Sequence, residues 1–176
     1  DVAGQLALKK ARVLIIGLGG LGSPAALYLA AAGVGTLVLA DDDVVDASNL
    51  QRQIVHSQER IGMAKVASAK AQLLALNPLV TVEGMAQRLE GEALQAEVAK
   101  ADVVLDCCDN FATRCAVNSA CVNNQTALVS GAAIRFEGQL FVAIPGESRC
   151  YACLRTLFES PDLSCVEAGI FSPVVN

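Results

Sequence analysis

Two kinds of segment alternate along the chain: short apolar runs rich in β-branched residues, and longer segments rich in Ala and Leu. The first apolar run, Arg12–Ile16, is rich in Val and Ile and stops at a cluster of glycines, which is typical of a strand buried on both faces. Residues 23–32 are rich in Ala and Leu, which is typical of a helix. A second apolar run, Thr36–Ala40, ends at Asp41. The pattern therefore predicts a strand, a glycine loop, a helix and a second strand, in that order.

The same alternation continues through most of the chain. Further strands are predicted at residues 80–83, 102–105 and 126–130. Further helices are predicted at residues 1–11, 62–77, 91–100 and 111–124. This alternation predicts an α/β fold of the Rossmann-like, doubly wound type, with a mainly parallel sheet in the strand order 3-2-1-4-5 and helices on both faces. In the last third, residues 131–144 predict an antiparallel β-hairpin with Gly138 at its turn, and residues 147–161 predict a loop.

Composition and charge narrow the class of protein. The 176 residues are 53% hydrophobic and only 4% aromatic, so we expect a single domain, residues 1–176, with a core of Val, Leu, Ile and Ala. The net charge of −5 argues against a nucleic-acid surface and gives no reason to expect attachment to an anionic membrane. Residues 24–40 are nearly uncharged, but glycines interrupt them, so they do not predict a membrane-spanning helix. Because the chain starts without Met and stops just after an apolar segment, we expect a fragment, or a chain whose disordered parts were left out.

The glycine cluster fits a nucleotide-binding fingerprint. In Gly17-x-Gly19-x-x-Gly22, one glycine makes the tight turn, one admits a phosphate close to the backbone, and one allows the helix and strand to pack. The N-terminus of the following helix offers unpaired N–H groups to an anion. Asp41 stands roughly twenty residues beyond the glycines, where an acid accepts the ribose hydroxyls of a dinucleotide. These features together predict a nucleotide site.

Polar residues after the second strand extend this candidate site. Residues 41–60 form a long polar connection, which in a compact α/β domain is either functional or mobile. Three adjacent aspartates beside a nucleotide loop favour a functional role for Asn49 and Arg52. His56 is interpreted as incidental, because no nucleophile or metal partner lies near it in the sequence. Considered by itself, Lys65 is expected to be an ordinary helix lysine that faces solvent. It lies in the first turn of its predicted helix, close to the acidic loop, where it could reach a phosphate.

Acidic residues also follow the fourth predicted strand. In the predicted order the first and fourth strands are neighbours, and ligands bind beyond their carboxyl ends. Asp106 and Asp109 are therefore expected to face the glycine loop. Asp109 has two interpretations, which are compatible with each other: it caps the next helix, and it holds a metal ion or phosphate, a role that its position beside the glycine loop favours.

Seven cysteines carry a further signal. Their odd number, in an acidic chain with no visible secretory signal, suggests reduced thiols and hence a cytoplasmic protein. Cys150 and Cys153 have the two-residue spacing that lets both thiolates bind one tetrahedral Zn²⁺. They form half of such a site, and no second pair with this spacing is present. A redox couple and no special role are the alternatives.

With these residues in view, the chain resembles the MoeB/ThiF/HesA family, bacterial relatives of ubiquitin-activating enzymes, over essentially its whole length. The resemblance rests on motifs that follow in the family's order. They are Gly17-Leu-Gly-Gly-Leu-Gly22, the acidic loop at Asp41, Ser48-Asn-Leu-Gln-Arg-Gln53, Lys65, Asp106-Cys-Cys-Asp-Asn110 with Arg114, Cys150-Tyr-Ala-Cys153 and Cys165-Val-Glu-Ala-Gly169.

The resemblance implies ATP as the cofactor and adenylyl transfer to the C-terminal glycine of a ubiquitin-like sulfur carrier protein. It implies that Asp41 holds the ribose and that Gly17, Gly19, Gly20, Gly22 and Asn49 line the nucleotide. It further implies that Arg52 and Lys65 hold phosphates, that Asp109 binds Mg²⁺, and that Cys150 and Cys153 contribute to a structural Zn²⁺ site. A homodimer is implied as well. Cys165 matches a loop position that takes part in sulfur transfer in some members, and an ordinary loop cysteine is the alternative.

Several alternatives stay open. Residues 130–135 and 165–169 look more like the branch that serves molybdopterin synthase, which we favour, whereas residues 35–43 look more like the thiamine branch. An NAD-dependent oxidoreductase shares the glycine loop and the acid, and a non-catalytic scaffold is a third reading. The family's N-terminal segment, with an arginine that reaches the partner subunit's nucleotide, and its second Cys-x-x-Cys are absent from this sequence.

Overall fold

A single sheet organises the fold. A computed structural model of the chain describes residues 1–134 and 137–155. The strands are β1 (Arg12–Ile16), β2 (Thr36–Ala40), β3 (Thr81–Met85), β4 (Val103–Asp106), β5 (Ala127–Ile134) and β6 (Glu137–Ala143). The helices are α1 (Val2–Lys10), α2 (Gly22–Ala32), α3 (Lys65–Leu76), α4 (Gly91–Val98), α5 (Phe111–Asn124) and α6 (Tyr151–Arg155). Two 3₁₀ turns, Ala47–Asn49 and Gln58–Arg60, lie between β2 and α3.

The strand β1 lies at the centre and pairs in parallel with β2 and β4. The full order is β3-β2-β1-β4-β5-β6, in which β6 runs antiparallel to β5. This arrangement confirms the predicted doubly wound sheet with an antiparallel extension. Because Ile16 at the end of β1 pairs with Asp106 at the end of β4, the loops that follow these strands leave the sheet side by side.

The core consists of two apolar layers, one on each face of the sheet. Successive side chains of a strand point to opposite faces, so Ile15 packs on one side and Leu14 on the other. The first layer joins β1 and β2 to α2 and α3, and the second joins β1 and β4 to α4 and α5. Burying one such aliphatic side chain stabilises the fold by about 1.5–3 kcal/mol. The aliphatic core predicted from the composition is confirmed.

Two local predictions are wrong. Gly138 lies inside β6, opposite Ala133 of β5, and not at the turn of the hairpin. Residues 151–155, predicted as loop, form helix α6, whose first N–H group, that of Tyr151, donates to the side-chain oxygen of Asn118. A contact with α5 therefore supports this turn of helix, and the local pattern carries no sign of it. Residues 147–150 form turns and irregular chain, as predicted, and residues 156–161 lie outside the described residues.

The long uncharged stretch is divided between a helix and a strand. Helix α2 ends at Gly33, which adopts φ of +84°, and β2 begins three residues later. Between them, the N–H of Gly35 donates to the carbonyl of Leu8 in α1, and a Cβ on Gly35 would overlap the carbonyl of Lys9. In the part of the chain that the structure describes, no helix is both long and apolar enough to cross a bilayer.

Gly35 and Gly138 have different surroundings, so replacing each with Ala is expected to change the stability of the fold differently. We expect Gly35→Ala to lower the free energy of unfolding by about 1–3 kcal/mol, because the added methyl group forces α1 away from the sheet. Gly138→Ala is the matched control, since open space surrounds its Cβ position. It should be neutral or slightly stabilising. Urea denaturation of both variants measures the difference, and equal stabilities would contradict the observed packing of α1.

Candidate active site

A pocket opens at the carboxyl ends of β1, β2 and β4. The predicted site residues that line it are Gly17, Gly19, Gly20, Asp41, Arg52, Lys65 and Asp109. Gly22 and Asn49 are not among the lining residues. Cys150 and Cys153 lie elsewhere, at α6, and Cys165 lies outside the described residues. The topology thus brings most of the predicted site together.

The glycines of the loop serve different purposes. Gly17 has φ of +90°, and a Cβ there would lie 2.8 Å from the carbonyl oxygen of Cys107 in the loop after β4. A Cβ on Gly22 would overlap the carbonyl of Gly17. Gly19 meets only the side chain of Gln53. Gly17 and Gly22 are therefore required for backbone packing, whereas Gly19 and Gly20 keep the pocket side of the loop free of side chains.

Polar groups fix the peptide of Leu18 inside this loop. Its N–H donates to Asp41 Oδ2 at 2.7 Å, and its carbonyl accepts from Ser23 Oγ at 3.2 Å and from His56 Nε2 at 3.2 Å. The other carboxylate oxygen of Asp41 accepts from the N–H of Asp43. Burial raises the pKa of the Asp41 carboxyl, and the nearby Lys65 opposes this shift. Asp41 consequently anchors the glycine loop in addition to facing the pocket.

Lys65 is a buried cation. It is the first residue of α3 and is only 5% exposed, so the reading of it as a solvent-facing lysine is wrong. Its Nζ lies 2.8 Å from Asp43 Oδ2 and 3.9 Å from Asp41 Oδ1. The helix starts at this residue because Val44 and Ala64 form an antiparallel bridge that holds the preceding segment extended. Lys65 therefore lines the pocket with its ammonium group paired to the acidic loop.

Arg52 is the second cation at the pocket. Its guanidinium donates to Asn49 Oδ1 at 2.8 Å and to Gln51 Oε1 at 3.3 Å. Asn49 belongs to the 3₁₀ turn Ala47–Asn49, which Asp46 caps through the N–H of Ser48. Asn49 therefore contacts Arg52, which lines the pocket, and does not line the pocket itself.

Asp109 is free of a capping role. The N-cap of α5 is Asn110, whose side-chain oxygen accepts from the N–H of Thr113 at 2.9 Å, so the interpretation of Asp109 as the cap is wrong. Asp109 itself is exposed at the pocket. Asp106 is fully buried and accepts from the Cys108 thiol and the Ser130 hydroxyl. Of these two acids, only Asp109 lines the pocket.

Sequence reasoning missed one wall of the pocket. Gln87, Arg88 and Leu89, which follow β3, line it beside Asp42. Arg88 Nε lies 3.5 Å from Asp42 Oδ2. The signal was available, because β3 is the neighbour of β2 in the predicted strand order, so its carboxyl end also faces the ligand crevice.

A family model described as the ThiF family matches residues 1–176. The chain belongs to the ThiF family. This match confirms the resemblance that the motifs indicated.

Named relatives of this ThiF-family chain include two from Escherichia coli. The sulfur carrier protein ThiS adenylyltransferase is 54% identical over 179 residues, covering 100% of this chain and 71% of that protein. The molybdopterin-synthase adenylyltransferase is 49% identical over 178 residues, again covering 100% and 71%. The crystal structure of E. coli MccB with ATP matches with a TM-score of 0.83 and 27% identity, covering 99% of this chain and 54% of MccB. Adenylyltransferase names among the relatives support an enzyme that transfers AMP from ATP.

His56 has a structural position in this ThiF-family fold. It is buried, with Nδ1 2.9 Å from Ser68 Oγ and Nε2 3.2 Å from the Leu18 carbonyl. Since a carbonyl only accepts, Nε2 carries the proton in the neutral ring. Burial lowers the pKa of the imidazole. Its interpretation as incidental is therefore incomplete, because His56 fixes the back of the glycine loop.

The buried histidine predicts a pH-dependent stability. In the unfolded chain the His56 imidazole has a pKa of about 6.5, and in the folded chain its pKa is lower. As the pH falls below about 6.5, the unfolded chain therefore binds a proton that the folded chain does not yet bind, and the free energy of unfolding decreases. For one proton the slope is at most about 1.4 kcal/mol per pH unit. Urea unfolding between about pH 7.5 and pH 5.5 should show this loss in the wild-type chain and a smaller one in His56→Gln. Identical slopes would contradict it.

The cysteines fall into two groups. Burial raises the pKa of the Cys107 and Cys121 thiols to about 12, and it also raises that of Cys108. At Cys150, hydrogen bonds from the N–H groups of Cys153 and Ala152 lower the thiol pKa. Cys150 and Cys153 share one turn of chain, which fits two of the four ligands of a structural Zn²⁺. Among the described residues, no His, Cys, Asp or Glu lies close enough to this pair to complete a metal site of three or more ligands.

Thiol labelling tests this division. In the metal-free folded chain at pH 8, we expect iodoacetamide to modify Cys150 well before Cys107 or Cys121, because only a thiolate reacts. Peptide mass spectrometry after short exposures measures the order. In urea the differences should disappear. If Cys107 were modified as fast as Cys150 in the folded chain, the burial that raises the pKa of the Cys107 thiol would be wrong.

Proposed function

We propose that the protein uses ATP to adenylate the C-terminal glycine of a ubiquitin-like sulfur carrier protein and releases pyrophosphate. One observation carries the proposal: Arg52, Lys65 and the exposed carboxylate of Asp109 surround the glycine loop in a single pocket. The names of the relatives agree with this chemistry.

The two cations suit attack on a phosphate. The carrier carboxylate must approach an α-phosphorus surrounded by negatively charged oxygens, so charge repulsion and misorientation dominate the barrier. Asp43 holds Lys65 and Asn49 holds Arg52, so both positive charges already stand at the pocket. No general base is required, because a carboxylate is already ionised at pH 7.

Asp109 fits a magnesium ligand. Mg²⁺ with a nucleotide commonly uses one or two carboxylates together with substrate phosphates, and Asp109 presents one carboxylate that caps no helix. When bound, the ion would neutralise charge on the leaving pyrophosphate. Cys150 and Cys153 are proposed to hold Zn²⁺ together with ligands outside the described residues, and we propose a homodimer on the family resemblance.

An NAD-dependent oxidoreductase is less well supported by the site. Hydride transfer to or from a carbonyl needs a proton donor beside the substrate carbon. The only histidine, His56, uses both ring nitrogens behind the glycine loop. Two cations and a carboxylate at the glycine loop suit a triphosphate instead. Titration of the full-length protein with Mg·ATP and with NAD separates the two functions.

Two carriers compete for the role of substrate. Motifs at residues 130–135 and 165–169 favour the small subunit of molybdopterin synthase. The higher identity, 54% against 49%, favours the thiamine-pathway carrier ThiS. Pyrophosphate exchange with each purified carrier, under equal conditions, identifies the substrate.

Asp109→Asn tests the proposal with little structural risk. We expect ATP–pyrophosphate exchange by the full-length protein to fall about 10²–10³-fold. The substitution removes the carboxylate that is proposed to hold Mg²⁺ against the leaving pyrophosphate. The melting temperature should stay unchanged, since Asp109 is exposed. Glu59→Gln removes the same charge from an exposed 3₁₀ turn and should keep wild-type exchange.

Wild-type exchange in Asp109→Asn would refute the role of this residue. Tight binding of NAD by the wild-type protein, with no exchange in the presence of either carrier, would overturn the adenylyltransferase function as a whole.

A further inference from the structure

Arg114 lies beneath the pocket and holds two of its walls. It is 8% exposed, and its Nη2 donates to the carbonyl of Cys108 at 2.7 Å and to that of Gly131 at 2.9 Å. Nη1 donates to Ser130 Oγ at 2.9 Å. The first carbonyl belongs to the loop that carries Asp109, and the second precedes the pocket residue Ala132. Arg114 thus fixes the loop after β4 against β5.

The charge of Arg114 is balanced inside the protein. Its Nε lies 3.6 Å from Asp106 Oδ2, and both side chains are buried. The same carboxylate accepts from Ser130 Oγ at 2.7 Å, so the three groups form one network. Removing one member of a buried ion pair leaves an uncompensated charge. Because moving Arg114 away would leave the buried Asp106 carboxylate unpaired, this ion pair holds the guanidinium in place.

The remaining face of the guanidinium is covered by Tyr151. Arg114 Cζ lies 5.7 Å from the centre of the Tyr151 ring, within the range of a cation–π interaction. The ring also meets Phe141 of β6 edge to face, with centroids 5.9 Å apart. Tyr151 stands between Cys150 and Cys153, so the cysteine turn itself supplies one wall of the Arg114 site.

Asn118 ties the same turn to the helix that carries Arg114. It is buried one helical turn after Arg114 on α5. Its Oδ1 accepts from the N–H of Tyr151 at 2.8 Å, and its side chain also hydrogen-bonds the Cys150 thiol. Contiguous contacts therefore run from the cysteine turn through Tyr151 and Arg114 to the Cys108 carbonyl.

We propose that Arg114 is a positioning residue that couples the Cys150–Cys153 turn to the phosphate side of the pocket. Order in the cysteine turn keeps Tyr151 on Arg114, Arg114 keeps the Cys108 carbonyl in place, and this loop keeps Asp109 aimed into the pocket. The inference rests on the proposed function in one respect, namely that the ligand is Mg·ATP. By reciprocity, a ligand that orders the cysteine turn and a nucleotide in the pocket strengthen each other's binding.

The coupling predicts a selective loss of affinity. In the full-length protein, Tyr151→Leu removes the ring face, and Asn118→Ala loosens the turn without touching the pocket. Both should weaken Mg·ATP binding about tenfold, the scale of one lost cation–π contact. Affinity for adenosine should stay unchanged, because it makes no contact with Asp109 or with a metal ion. Isothermal titration calorimetry measures both ligands.

Two variants serve as controls. Tyr151→Phe keeps the aromatic face over Arg114 and should bind Mg·ATP like the wild type. Asn124→Ala makes the same substitution on the same helix, at a side chain that bonds Gln95 and Ala120, and should also leave binding unchanged.

A second readout does not depend on nucleotide binding. In Tyr151→Leu, amide hydrogen exchange of residues 107–110 should accelerate several-fold, whereas in Tyr151→Phe it should match the wild type. Unchanged Mg·ATP affinity in Tyr151→Leu, equal losses for adenosine and Mg·ATP, or unchanged exchange of this loop would overturn the coupling. If the wild-type protein bound no ATP, the proposed function would fail, and hydrogen exchange would still decide whether the turn and the loop are coupled.

Discussion

The site depends on the close approach of three backbone segments at the centre of the sheet. A Cβ on Gly22 would overlap the Gly17 carbonyl, and one on Gly17 would lie 2.8 Å from the Cys107 carbonyl. The turn after β1, the start of α2 and the loop after β4 therefore touch without intervening side chains. Since β1 and β4 are neighbours and the helices that follow them, α2 and α5, lie on opposite faces of the sheet, this contact lies at the usual ligand crevice of such sheets.

Polar side chains behind the pocket maintain this approach. Leu18 has its N–H bound by Asp41 and its carbonyl bound by Ser23 and His56. Buried peptide groups without partners are costly, so these side chains determine the conformation of the glycine loop as firmly as the glycines do. A residue type that often acts in catalysis can therefore have a structural role, and His56 has such a role behind the glycine loop.

Features set by local periodicity were predictable from the sequence. The β-branched runs identified the strands because a parallel sheet buries both faces, and the glycine spacing located the nucleotide loop. Features set by tertiary contacts were not. The first N–H of helix α6 is bound by Asn118, buried Lys65 pairs with Asp43 from the loop after β2, and the two walls held by Arg114 come from distant segments. No short-range pattern encodes these contacts.

Lys65 is already paired with a carboxylate before a ligand arrives, whereas Arg52 donates to the neutral amides of Asn49 and Gln51. Lys65 is buried, and an unpaired buried ammonium group costs several kcal/mol, so Asp43 must compensate it in the resting protein. Asp43 is 68% exposed in its side chain and can return to water at little cost. On the proposed function, a polyphosphate would replace Asp43 as the partner of Lys65, so Lys65 would stay paired when the ligand binds. In a chain of net charge −5, such local exchange explains how an acidic protein presents a pocket suited to an anionic ligand.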